Sequence, residues 1–412
     1  MTKMNKFLGK LAGSVLAAML IVGLLVAPAG AASRYTPIAG TSTTFNKYLV
    51  IPAGTNTPAA SFSYSIRSGS ARAAAAGEMA VYAGLNPELI TISDSVFTSN
   101  QATKSAATTE TDVVRNDRSN VKFETTKGEL FATSTSTINF SAVTFPEPGI
   151  YRYIITENIS DAHVSQGIVH DDDNDRVLDV YVVDADNMTL RVAAYVMHRN
   201  DQAVVAGTDL GSADVNANGA TLADKTDGFT NEYKPKDLTF SKTVRGNQGS
   251  RDKYFAFTLK FSNLTAGDTF NVSLSNDGNA NTKDGNADSV TASNAATVAA
   301  NTGKTNVTSL TANAQGKVEQ VFYLQHGQSI AVLGLPLNAS YTLTEDYEDY
   351  KSSRSNGYTG VMAEDVNAPF TNTRGGVIPT GIVLTVVPGV IVAAAGAAGI
   401  IVMKSRKRNE EE

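Results

Sequence analysis

Two tandem β-sandwich domains, an all-β architecture, are what the sequence predicts, and three observations lead there. Short runs rich in β-branched and aromatic residues recur, among them VLDVYVV (177–183), LRVAAYVM (190–197), YFAFTLKF (254–261) and KVEQVFYL (317–324). Strand side chains alternate between faces, so such runs lay one face on a core and turn the other outward. Turn-forming stretches such as DADNM and NDGN bound most of them, and short strands at this spacing pack as sandwiches. The third observation is a repeat. FNK (45–47), YIITE (153–157) and FTN (229–231) return in the same order as FSK (240–242), YTLTE (341–345) and FTN (370–372), so one design is used twice.

The join between the copies falls in YKPKD, where a proline punctuates the chain, giving a first domain over 33–235 and a second over 236–376. Glu157 precedes its asparagine by 74 residues and Glu345 by 27, so the first domain carries an insertion. Segments 68–120 and 276–316 keep no long period and read as loop-rich insertions with short strands.

Both ends are addresses rather than fold. Lys3, Lys6 and Lys10 precede an apolar run over 11–26 and then Ala27, Ala29 and Ala31, the pattern of a secretory signal peptide (1–32) that frees a mature chain near Ala31 to Ser33. Residues 381–403 are apolar apart from Thr385, and Lys404, Arg406, Lys407 and Arg408 follow. That length crosses a bilayer, and the basic cluster keeps its end cytoplasmic, so the body faces outward. An exported chain can use disulfides, yet this one has 0 Cys, and any covalent staple needs other chemistry. The net charge of -6 is dispersed, with no basic patch outside the termini, which argues against a nucleic-acid partner.

The repeated residues suggest that chemistry. Residues two apart share a strand face, so Lys47 lies beside Phe45, Glu157 beside Tyr153 and Ile155, and Asn231 beside Phe229; Lys242, Glu345 and Asn372 repeat the pattern with Phe240, Tyr341, Leu343 and Phe370. Each polar residue therefore sits on the buried face of its strand. Burial disfavours both ammonium and carboxylate, so a free amine and a protonated acid become accessible together. A free amine held against an asparagine amide is a nucleophile facing an electrophile. A neighbouring glutamate then hydrogen-bonds the amide oxygen and shuttles the proton that lets ammonia leave. The product is a Lys–Asn amide crosslink, made feasible by proximity in a packed core.

FPEPGIYRYIITE (145–157), YTLTE, both FTN tripeptides and the terminal signal together resemble the shaft (major) pilin of sortase-assembled Gram-positive pili, of the streptococcal T-antigen type. The resemblance implies two immunoglobulin-like domains, each with a glutamate-catalysed isopeptide bond: Lys47 to Asn231 through Glu157, and Lys242 to Asn372 through Glu345. Val377, Ile378, Pro379, Thr380 and Gly381, followed by the apolar span and basic tail, resemble a sortase sorting signal cut between Thr380 and Gly381, although Val377 stands where leucine is usual. The resemblance also implies that Thr380 is joined to a lysine of the next subunit, with Lys225 the matching acceptor and Lys234 and Lys236 its rivals. Implied partners are a pilin-specific sortase, copies of this chain, minor tip or base pilins, peptidoglycan, and the membrane only before sorting. A wall-anchored monomeric adhesin with the same stapled domains is the alternative. No cofactor or metal is expected: DVNANGATLADK carries Lys225 where a calcium loop needs its glutamate, DDDND reads as a turn, and the histidines lack ligand spacing. Nothing in the sequence points to a turnover enzyme.

Overall fold

A computed structural model describes residues 34–73, 80–105, 129–171, 174–198, 226–275 and 306–376. The signal peptide, the sorting residues Val377 to Gly381 with the apolar tail, Lys225 and the 214–225 stretch lie outside the described residues.

The first half of the chain pairs two sheets. One runs Leu190–His198, Asp175–Asp184, Gly149–Glu157, Tyr64–Ser68, with Val81–Ala83 also on Gly149–Glu157; the other runs Ile168–Val169, Gly228–Tyr233, Ser42–Ile51, Leu130–Asn139, Thr91–Ile92. Their inner faces meet in a core of Phe45, Phe140, Tyr151, Tyr153, Ile155, Leu178 and Phe229. The long interval between Glu157 and Asn231 holds the Asp175–Asp184 and Leu190–His198 hairpin, which extends the glutamate-bearing sheet.

The second half repeats the plan. A six-stranded sheet runs Ser309–Thr311, Thr269–Ser275, Ser329–Leu335, Lys236–Arg245, Val366–Thr373, Lys351–Ser352, and a four-stranded sheet runs Val318–Leu324, Phe255–Ser262, Ser340–Asp346, Tyr358–Val361. Phe240, Phe257, Leu259, Phe322, Val332, Leu343 and Phe370 fill the space between them. In each half one strand bears the lysine (Ser42–Ile51, Lys236–Arg245), one the glutamate (Gly149–Glu157, Ser340–Asp346) and one the asparagine (Gly228–Tyr233, Val366–Thr373). Lysine and asparagine strands are hydrogen-bonded neighbours in one sheet, and the glutamate strand belongs to the sheet opposite.

Two features depart from the simple alternating pattern. The strand Gly149–Glu157 is buried at nearly every position, because its outer face is apolar too: Ile150 packs with Val81 and Tyr181, and Ile154 with Val177. Between those clusters Arg152 forms a two-pronged ion pair with Asp179, at 2.8 Å on each arm, with both side chains almost completely buried. The second feature is a helix, Asp161–Gln166, which no periodicity announced. Ser160 caps its start, and Gly167, at φ 96°, ends it in the left-handed conformation that glycine tolerates.

That helix sits where the two halves meet. A Cβ on Gly167 would lie 2.4 Å from Leu337 Cδ1, and the Leu337 N–H donates to the Gln166 carbonyl at 3.3 Å. Nearby, Tyr233 donates to the Gly334 carbonyl (3.1 Å), Asn271 to the Gly54 carbonyl (2.7 Å), and the Ala59 N–H to Asp268 (3.1 Å). The halves therefore share a hydrogen-bonded junction beyond the proline of YKPKD.

The two ion pairs of the first half should respond differently to mutation. Asp179→Ala removes the buried carboxylate from the Arg152 guanidinium and should cost about 3–5 kcal/mol in urea unfolding. Arg67→Ala breaks the exposed pair with Asp175 (3.0 Å) and should cost no more than about 1 kcal/mol. Similar losses in the two variants would contradict the burial difference.

Candidate crosslinking sites

The lysine and asparagine strands run parallel in both halves, and their register is the same. Lys47 stands opposite Phe229 and Asn231 opposite Leu49; Lys242 stands opposite Phe370 and Asn372 opposite Val244. Each asparagine is thus two residues ahead of its lysine, and two residues is the repeat that returns a side chain to the same face. All six side chains are buried, with Lys47, Lys242, Asn231 and Asn372 at 1% exposure or less.

Each glutamate reaches across the core and touches both partners. In the first half, Lys47 Nζ donates to Glu157 Oε2 and Asn231 Nδ2 to Glu157 Oε1 at 2.5 Å. In the second, Lys242 Nζ and Asn372 Nδ2 both donate to Glu345 Oε1, the latter at 2.9 Å. The carboxylates meet the amide nitrogen, the group that would leave, rather than the oxygen that sequence chemistry assigns to them. Each ammonium also lies over a ring that the repeat did not single out: Lys47 Nζ is 4.7 Å from the centre of Phe62, and Lys242 Nζ 4.2 Å from that of Phe255.

The electrostatics of the two sites differ. In the second, burial pushes the Lys242 ammonium down to about 8 against the pull of Glu345, and burial likewise raises the Glu345 carboxyl against Lys242, Asn372 and Ser352. Both shifts favour a neutral amine beside a neutral acid, as expected from the sequence. In the first, burial also works to raise Glu157, but the Lys47 charge and hydrogen bonds from His170, Lys47 and Asn231 outweigh it and hold the carboxyl at about 2. There the charged form of the carboxyl is favoured.

The difference comes from residues that the repeat does not contain. His170 Nδ1 lies 2.8 Å from Glu157 Oε1 and 3.1 Å from Asn231 Nδ2, and the Asp171 N–H donates to Asn231 Oδ1 at 3.3 Å. In the second half Ser352 donates to Glu345 Oε2 at 3.4 Å, and the buried Asn372 Oδ1 has no hydrogen-bond partner among the described residues. Sequence reasoning tested the histidines only for metal spacing and so passed over His170. Its one sequence signal is a place in the chain between Glu157 and Asn231.

Of the acceptor lysines, Lys234 has an exposed side chain paired with Glu232 at 3.0 Å, and Lys236 opens its lysine strand half-buried. In the acidic run 171–175, Asp171 is buried against Arg176 (3.4 Å) and Asp175 begins a strand. Among the described residues no group of three or more His, Cys, Asp or Glu is placed to hold a metal ion.

Residues 91–234 match the family described as the Spy0128-like isopeptide containing domain, and residues 236–374 match a domain of unknown function, DUF7601. A pilin of Streptococcus pyogenes serotype M1 is 25% identical over 297 residues, 67% of this chain and 72% of that protein. The crystal structure of the major pilin from Streptococcus pyogenes covers 82% of this chain and 100% of its own, at 20% identity and a TM-score of 0.48. The T-13 major pilin from Streptococcus pyogenes serotype GAS131465 covers 82% and 99%, at 21% identity and a TM-score of 0.43. The all-β chain is therefore similar to the streptococcal pilins, structural proteins rather than enzymes, and carries an isopeptide-type pilin domain, in keeping with the resemblance read from its motifs.

Proposed function

We propose that this protein is the shaft subunit of a covalently polymerised surface pilus, stapled within each sandwich and linked from subunit to subunit by a sortase. The observation that carries the proposal is the repeated geometry: a parallel lysine–asparagine register, twice the same, with one buried glutamate bridging both side chains. In each site the lysine amine adds to the asparagine Cγ, the C–Nδ2 bond breaks, and the displaced nitrogen leaves as ammonia. Lysine and asparagine end joined through a secondary amide. The glutamate takes the proton from the attacking nitrogen and delivers one to the leaving nitrogen, which it already touches. Held side by side on rigid strands, the reactants avoid the entropic cost of encounter.

Outside the sandwiches, the sorting signal assigns Thr380 as the residue that a pilin-specific sortase transfers to Lys225 of the next copy, with cell-wall peptidoglycan as the final anchor and minor pilins at tip or base. The exposed Lys234 and half-buried Lys236 are the other acceptors.

Residues 33–380 expressed alone should weigh two ammonia molecules less than the sequence mass. Glu157→Ala and Glu345→Ala should each restore one, and each variant should melt earlier, since closing loops this long stabilises a domain by roughly 5 kcal/mol in the chain-entropy model. The full sequence mass in folded protein would dispose of the crosslinks.

The depressed Lys242 gives a pH test. In Asn372→Ala the lysine cannot react, and its folded pKa of about 8 lies below the unfolded value of 10.5. The unfolded chain then binds more protons between those values, so the variant gains stability as pH rises through that window. Its deficit in Tm relative to the native, crosslinked protein should narrow from pH 8 to 10.5; a widening deficit would contradict the shift.

In cells, Lys225→Arg should abolish the high-mass ladder of polymers while monomer still reaches the wall. A persisting ladder moves the acceptor to Lys234 or Lys236. Monomer alone from the native gene would instead indicate a wall-anchored adhesin.

A further inference from the structure

Each asparagine strand has two neighbours in its sheet. The lysine strand lies on one side, and on the other lies a strand of two residues, Ile168–Val169 in the first half and Lys351–Ser352 in the second. Both short strands run antiparallel to the asparagine strand. Ser352 stands directly opposite Asn372. In the first half Val169 stands opposite Glu232, and one further step in that register sets His170 against Asn231, with its Nδ1 3.1 Å from Asn231 Nδ2. His170 and Ser352 therefore occupy the same place in the two sandwiches, although the sequence repeat contains neither.

Both put a donor on the glutamate. A carboxylate only accepts, so the His170 Nδ1–H donates to Glu157 Oε1, at 2.8 Å, and the Ser352 hydroxyl donates to Glu345 Oε2 at 3.4 Å. In each site this donor and the lysine take different oxygens. Lys47 is on Oε2 and His170 on Oε1; Lys242 is on Oε1 and Ser352 on Oε2. The donors are themselves held in place. The Arg354 N–H donates to Ser352 Oγ (3.1 Å), and the Ser353 N–H to the Thr371 carbonyl on the asparagine strand (2.8 Å). The His170 ring lies beside those of Phe62 and His163.

We propose that His170 and Ser352 are equivalent positioning residues, each holding the second oxygen of its glutamate so that the carboxyl stays over the asparagine amide. The inference rests on the crosslinks proposed above. Its physical basis is a balance of pulls from the two flanks. Neighbouring strands lie about 4.8 Å apart, so the lysine and the fourth residue stand on opposite sides of the asparagine. An ammonium alone would draw the carboxyl to its own side, away from the amide nitrogen that has to receive a proton. A donor on the far flank draws the other oxygen back, and the carboxyl spans the amide between them. Neither residue exchanges a proton in the reaction; each keeps its own and fixes the geometry in which the glutamate works. In the second site the effect is also directional. When the Glu345 acid is neutral, a hydroxyl donating to Oε2 makes that oxygen the carbonyl and leaves the proton on Oε1, the oxygen that meets both Lys242 and Asn372.

The test compares variants that keep the donor with variants of similar shape that lack it. The mature ectodomain, residues 33–380, is made as inclusion bodies so that the chain starts uncrosslinked, then refolded from urea, with aliquots quenched in acid and weighed intact. A Glu345→Ala background reports the first bond alone, and Glu157→Ala the second. Ser352→Val should slow the second bond about tenfold or more, the effect of losing a hydrogen bond to a charged group, whereas Ser352→Thr, of the same shape but with its hydroxyl, should form it at close to the native rate. His170→Leu should likewise slow the first bond, and His170→Asn, which keeps an N–H for Glu157, should restore it. Ser352→Val should leave the first bond unaffected. Native rates in both donor-free variants, or equal slowing by valine and threonine at 352, would overturn the proposal and leave the crosslinks standing. If a His170 variant loses its native circular dichroism, the Ser352 pair decides, since that residue is half-exposed on the edge strand of its sheet. A native ectodomain that folds and loses no ammonia would overturn both readings.

Discussion

In both halves of the molecule the first and last strands of a sandwich lie side by side and parallel, and everything at the two sites follows from that pairing. Parallel neighbours cannot be joined by a tight turn, so the rest of each domain must be threaded between them. The pairing therefore closes the sandwich and brings together residues far apart in sequence. Its register then decides which side chains meet. A slip of one residue would turn every side chain of the asparagine strand to the other face. Gly228 shows how closely the strands are held in the first half: a Cβ there would lie 1.6 Å from the Asn46 carbonyl oxygen.

The glutamate adds a second constraint from the opposite sheet. A lysine side chain enclosed by aromatic rings is tolerable only beside an acceptor, and the carboxylate is tolerable only beside donors. Each supplies what the other needs, and the asparagine amide donates to the same carboxylate. The arrangement is compact but leaves the proton balance open. In the second half burial dominates and both shifts favour the neutral forms; in the first, additional donors favour the charged forms. The same three residue types therefore shift the carboxyl in opposite directions, according to what stands behind it.

This also marks where the sequence is readable. The repeat of FNK, YIITE and FTN carries strand periodicity and chemistry together, so the sandwich halves and the grouping of lysine, glutamate and asparagine could be read from it. His170, Asp171, Phe62 and Ser352 could not. They approach the sites from loops or from strands with no counterpart in the repeat, and their positions depend on tertiary packing. The helix Asp161–Gln166 was hidden for a related reason: six residues are too few to display a helical period, and the glycine that ends it packs close to Leu337 across the junction. Likewise the direction of the glutamate toward the amide nitrogen is a matter of angstroms, which spacing in a sequence does not encode.

Under the proposed linkage, these positions also explain why the staples lie where they do. Tension entering a subunit at Lys225 and leaving at Thr380 runs along the backbone to Lys242, crosses the second staple to Asn372 and continues to the C-terminus. The strands between Lys242 and Asn372 are then bypassed, and nearly all of the first sandwich hangs to one side of the line. A chain without the second staple would expose that whole segment to force, on the order of 400 Å of extension at the extended-chain limit. Hydrogen bonds between parallel strands yield under sustained load, whereas an amide does not. The second staple thus bears the load. The first would lie off that line and hold only its own sandwich together.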